Sequence, residues 1–127
     1  MELLTFAHIL VTSALFGVIW MVQVSHYPLF HYLDPNRFKE SMLVHQAKIS
    51  WIVIPLMTAE LGFSLFTLHI PSIIIVGLIW LTTFFVQVPL HDQLAKRGYQ
   101  YETVKKLVDT NWIRTFLWSL KLIILCL

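Results

Sequence analysis

Charge is scarce in this chain. Lys, Arg, Asp and Glu supply 13% of its 127 residues, while 57% are apolar. A soluble domain carries about a quarter charged residues, so this chain has too few to cover a surface facing water. An ordinary cytosolic enzyme and a disordered polypeptide are both excluded. A basic excess is lacking as well. Nine Lys and Arg against seven Asp and Glu leave +2, which gives no field for nucleic acid. Cysteine is limited to Cys126, so there is neither a disulfide framework nor a thiolate metal site. Glycine occurs four times without forming G-x-x-x-G; Gly17, Gly62 and Gly77 are read as points of close helix approach.

What the chain has is apolar length. Mean hydropathy is +0.73, and a membrane-spanning helix needs about 20 apolar residues. Four spans fit, at about 3–25, 46–68, 71–89 and 111–127, in one integral membrane domain covering 1–127. The first begins with Glu2 rather than a basic stretch and is too long for a signal-peptide core, so it reads as a retained span. No segment alternates as a barrel strand would, and open sheet edges cannot face lipid. The expected fold is all-α: a four-transmembrane-helix bundle of two helical hairpins. Asp34-Pro35 has the form of an N-cap with Pro at N1, and Gly98 separates the third helix from the fourth. The second and fourth helices should therefore start well before the membrane, as stems.

Orientation follows from the basic residues. Arg37, Lys39, Lys48, Lys96, Arg97, Lys105, Lys106 and Arg114, eight of the nine, flank the first and third connections. The positive-inside rule puts the stems in the cytoplasm and both termini outside, in what is expected to be a bacterial inner membrane. A tandem two-helix repeat is also suggested. A shift of 61 residues superposes Pro28-Leu29 on Pro89-Leu90, Leu33 on Leu94, Phe38 on Tyr99 and Ser50-Trp51-Ile52 on Asn111-Trp112-Ile113. Chance matches between apolar segments are common, and the residues leave duplication open.

Polar residues inside apolar spans are costly and mark functional or clamping positions. One group combines His8, Glu60 and Lys121, with Thr5 and Thr12 on the face of His8. It reads either as a register-fixing clamp, with Lys121 free to snorkel, or as a relay or ligand site. A larger group gathers near the stems: Gln23, His26, His31, His45, Thr83, Gln87, His91 and Asp92, with Asn111, Arg114 and Trp118 on one face of the last helix. In a catalytic scheme His91 or His45 is the base, and Arg114 with Asn111 stabilises a developing oxyanion. Trp118 stacks on the substrate, and Gln87, Glu60 and Lys121 supply further contacts. A metal site would draw on His31, His45 and His91, with Asp92 in support, and a haem would use His8 or His45. No tight ligand motif is present, and hydrogen bonding is the more ordinary fate of most of the histidines.

The stretch Val88-Pro89-Leu90-His91-Asp92-Gln93-Leu94, followed by Leu107 and Asn111-Trp112-Ile113-Arg114, resembles the anthrone-oxygenase-like family of small four-span membrane proteins. Members tend to show Pro-x-polar-x-x-Leu after the third span and Asn-x-x-Arg or His-x-x-Arg at the start of the fourth. Tyr27-Pro28-Leu29-Phe30, His45, Pro55 and Glu60-Leu61 are similar to uncharacterised bacterial four-span proteins. The resemblance covers most of the chain. It implies the four-span fold, emphasis on Pro89, His91, Asn111, Arg114 and Glu60, and oxygen-dependent oxidation of a lipophilic aromatic or quinol-like substrate. The chain departs from the pattern at His91, where the family often has Asn. It departs again at Met42, where the closer relatives often carry a second His, and this weakens a His-x-x-His metal pair.

Two functional expectations stand side by side. One is a small membrane oxidoreductase or oxygenase that binds a lipophilic aromatic or quinone-like ligand through the His/Asn/Arg cluster. The other is proton or solute transport, or an accessory subunit of a homo-oligomer or larger membrane complex. A third, plainer reading makes every polar residue a helix-to-helix contact. The lipid bilayer is the partner common to all three.

Overall fold

The computed structural model describes residues 2–127, and every regular element among them is helical. Four long helices follow one another: α1 (Glu2–Tyr32), α2 (Pro35–Phe66), α3 (Ile70–Arg97) and α4 (Tyr101–Cys126). The first three are long and apolar enough to cross a membrane. The fourth starts ten residues before its expected apolar stretch, on the stem segment Tyr101–Thr110. Around the bundle α1 packs on α2 and α4, and α3 packs on the same two, so the helices form a four-membered ring.

Local chemistry explains the breaks. The Asp34 carboxylate accepts from the Asn36 N–H at 3.0 Å, capping the turn Pro35–Arg37 that opens α2. The His69 ring accepts from the Ser72 N–H at 3.3 Å, and Pro71 occupies the first turn of α3. Gly98 ends α3 with φ +83°, a conformation that only glycine adopts without strain, while its N–H bonds the Leu94 carbonyl. The other three glycines have nothing within 4 Å of an added Cβ, so they do not serve close helix approach. They lie on open faces of the bundle.

α1 and α3 share a feature that hydropathy does not reveal. Each contains one π-helical stretch, Val22–His26 in α1 and Thr83–Gln87 in α3, 61 positions apart. Each is followed two residues later by proline, Pro28 and Pro89. A proline ring collides with the carbonyl four residues back and donates no hydrogen bond. Widening the preceding turn relieves this: the Tyr27 N–H bonds the Val22 carbonyl and the Val88 N–H bonds that of Thr83.

Two apolar clusters fill the interior. The one nearer the stems is built on Tyr27, Phe30, Phe38, Met42, Leu94 and Leu107, and the other on Leu15, Ile19, Met57, Ile79 and Trp118. Outside, Phe6, Trp51, Phe66, Phe85 and Phe116 are all more than 60% exposed. A water-soluble monomer rarely presents such a continuous apolar exterior.

Candidate functional site

Two polar networks lie inside the bundle, joined through Trp118. In the first, Lys121 is fully buried and its ammonium donates to Glu60 Oε2 at 3.0 Å, Thr12 Oγ1 at 2.9 Å and His8 Nε2 at 2.8 Å. All three of its donors are used. Glu60, itself 1% exposed, also accepts from the Thr12 hydroxyl at 2.8 Å and from the Trp118 indole at 3.0 Å. The Ser64 hydroxyl donates to the Glu60 carbonyl. Lys121 therefore does not snorkel; it is the hub of a closed clamp bridging α2 to α4 across the ring. Glu60 and Lys121, expected to contact substrate, are not among the residues that line the cavity facing Arg114.

The second network is arranged around Arg114. Its guanidinium donates twice to Asn111 Oδ1, at 2.8 and 3.0 Å, once to Thr83 Oγ1 at 3.2 Å and once to the Tyr27 hydroxyl at 3.2 Å. Asn111 in turn donates to Gln23 Oε1 at 2.9 Å, as does the Thr115 hydroxyl, and Gln23 donates to the Val108 carbonyl. Asn111 holds Arg114 in place and is not among the residues lining the cavity that Arg114 faces. The guanidinium carbon lies 6.0 Å from the Trp118 ring centroid, at the edge of cation–π range.

Arg114 faces a cavity of about 340 Å³, large enough for a small ring-bearing ligand. Leu15, Ile19 and Val22 of α1 and Arg114 and Trp118 of α4 form its back wall. Val53, Met57 and His45 of α2 and Trp80, Gln87 and His91 of α3 form its sides. The wall residues that are also exposed on the bundle exterior, Ile54, Phe84, Val88 and Asp92, belong to α2 and α3. The mouth is therefore lateral, between those two helices.

Four buried polar atoms have no partner among the described residues: His91 Nδ1, His45 Nε2, Gln87 Oε1 and Trp80 Nε1. All four belong to residues that line this one cavity. Buried polar atoms without partners are rare and costly, so four around one space mark it as more than a packing defect. Their chemistry can be worked out. Arg114 can only donate, so the Tyr27 hydroxyl accepts from it and directs its own proton to His91 Nε2, 2.9 Å away. The proton of the His91 ring then sits on Nδ1, as a free donor. Gln87 donates its amide to Thr110 Oγ1 at 3.0 Å, which leaves Oε1 as a free acceptor. The Trp80 indole is a second free donor. His45 shares its Nδ1 with His26 Nε2 at 2.8 Å, and its ring stacks on His91 with centroids 5.2 Å apart.

The histidines expected to act together are thus only partly assembled. His45 and His91 meet, and His26 completes the group. His31 stands apart, with its Nδ1 on the Tyr99 hydroxyl at 2.8 Å and its ring against Tyr101. His31, expected to share a metal with His45 and His91, makes its contacts with Tyr99 and Tyr101 and not with those two rings. Among the described residues no set of three or more His, Cys, Asp or Glu is positioned to hold a metal ion. Haem through His8 is opposed by the Lys121 ammonium, which occupies Nε2. Asp92 lies at the cavity edge but pairs with Lys96 at 3.6 Å. Tyr27, which links Arg114 to His91, stood in the sequence only within the Tyr27-Pro28-Leu29-Phe30 likeness, with no role of its own.

No protein-family model, curated protein or solved structure matches the chain.

Proposed function

We propose that this is a four-span integral membrane protein, with its stems in the cytoplasm and both termini outside, that binds a lipophilic ring compound bearing carbonyl or hydroxyl oxygens. The ligand is of the quinone or hydroxyaromatic kind and comes from the bilayer. The observation that carries this reading is the unpartnered, buried Nδ1 of His91, a residue that lines an apolar cavity with a lateral mouth. A ligand carbonyl accepts from His91 Nδ1–H, a hydroxyl donates to Gln87 Oε1, and the ring lies against Trp118. Arg114 and Tyr27 act on the ligand through His91: they fix its tautomer and keep a positive charge behind it, which stabilises negative charge growing on the bound oxygen. That electrostatic arrangement suits oxidation–reduction of such a ligand. The resemblance to the anthrone-oxygenase-like family points to the same substrate chemistry.

The test is a titration of the protein in nanodiscs with ubiquinone-1, followed by Trp fluorescence. Wild type should bind saturably, and His91→Phe should weaken binding at least tenfold. His91→Asn, whose amide can replace an Nδ1–H donor, should retain most of the affinity. Equal affinity in wild type and His91→Phe would refute the assignment.

A further inference from the structure

Four features separated by the same interval of 61 positions relate the α1–α2 half of the chain to the α3–α4 half. Two are the π-helical stretches and the prolines that follow them. The other two are contacts. Phe38 packs edge-on against Tyr99 with centroids 5.4 Å apart, and Glu60 pairs with Lys121 at 3.0 Å. In a twofold arrangement, equivalent residues can touch only beside the axis. These two pairs are separated by about 33 Å of helix and so place a pseudo-twofold axis along the centre of the ring. The seam between α2 and α3 is then the counterpart of the seam between α4 and α1.

The two seams are not alike. The α1–α4 seam is zipped: Gln23 takes hydrogen bonds from Asn111 and Thr115, and Trp20 stacks edge-on against Trp112 and donates to Ser119. In the α2–α3 seam the residues equivalent to Gln23, Asn111 and Thr115 are Phe84, Ser50 and Ile54, which cannot form that zipper. The counterparts of the Trp20–Trp112 pair, Leu81 and Trp51, are 54% and 82% exposed. Among the described residues no side-chain hydrogen bond joins α2 to α3, and this is where the cavity opens. From the same half-molecule plan, one seam is locked by hydrogen bonds, while its counterpart is held by apolar packing and the His45–His91 ring stack alone.

We infer that the α2–α3 seam is the gate through which the lipophilic ligand passes between bilayer and cavity, and that Ser50, Ile54 and Phe84 keep it openable. This rests on the ligand-binding reading above. The test transplants the zipper with Ser50→Asn, Ile54→Thr and Phe84→Gln in the full chain. Ubiquinone-1 association is followed by stopped-flow Trp fluorescence in nanodiscs, and folding is checked by thermal unfolding. A second variant, Ile54→Trp, plugs the mouth without adding polar groups. Ile113→Trp adds the same bulk on the exposed face of α4. Association should slow at least tenfold in the first two variants and stay at the wild-type rate in Ile113→Trp. Wild-type association in both seam variants, with ubiquinone-1 still bound, overturns the gate and leaves the binding site standing. Absence of binding to wild type overturns both.

Discussion

Removing one charge of the clamp should be far more damaging than removing both. Lys121→Met deletes an ammonium whose three donors all serve buried acceptors, and it strands the Glu60 carboxylate at 1% exposure with only Thr12 and Trp118 as partners. Breaking a buried pair from one side costs about 3–5 kcal/mol, whereas replacing both charges is commonly neutral or stabilising. Glu60→Gln combined with Lys121→Met removes both charges and keeps a carbonyl oxygen for the Trp118 indole. The double variant should therefore recover most of the loss, giving a coupling of roughly 2 kcal/mol or more in a double-mutant cycle. Reversible unfolding in mixed micelles of increasing SDS fraction, followed by Trp fluorescence, measures all four free energies. A Lys121→Met cost below about 1 kcal/mol, or strictly additive costs, would refute the clamp, because an exposed pair behaves that way.

Further outcomes follow from the site and its supports. Tyr27→Phe removes the hydroxyl between Arg114 and His91 and frees the His91 tautomer; ubiquinone-1 affinity should fall about tenfold, near 1.4 kcal/mol, with folding retained. Asn111→Leu leaves Gln23 Oε1 short of one donor and the Arg114 guanidinium short of one of its three acceptors. It should cost about 1–3 kcal/mol per stranded group in the same SDS titration. Gly98→Ala forces a side chain into φ +83°, and its Cβ lies 3.4 Å from Lys39 Cε; a loss of about 1–3 kcal/mol is expected by the same measurement.

How much of this was legible in the sequence depended on the range of the interaction. Helix number, the Asp34 cap and the break at His69–Pro71 are local matters of hydropathy and capping, and they were readable. The spacing of Asn111, Arg114, Trp118 and Lys121 on one helical face forced that face inward, and all four are buried. Partnership was not readable. Glu60, Lys121 and Thr12 could be grouped from similar depth and a shared face, but Trp118 joins them only through the rotation of each helix about its axis. The same rotation carried His31 away from His45 and His91 to Tyr99. The π-helical stretches shift that rotation within α1 and α3, and no hydropathy pattern announces them. Tyr27 was quoted only as part of the Tyr27-Pro28-Leu29-Phe30 likeness, because nothing local to it announces a hydroxyl that bridges Arg114 and His91.

The most direct test of the binding site is the content of the protein as it leaves the membrane. Wild type and His91→Phe, each purified in mild detergent from cells grown identically, should be extracted with organic solvent and the lipophilic fraction quantified by mass spectrometry. Wild type is expected to carry close to one equivalent of an oxygen-bearing ring compound that is depleted at least tenfold in His91→Phe. Phospholipid alone in both samples, or the same ring compound at the same level in both, would contradict the assignment of His91 and its cavity as the binding site.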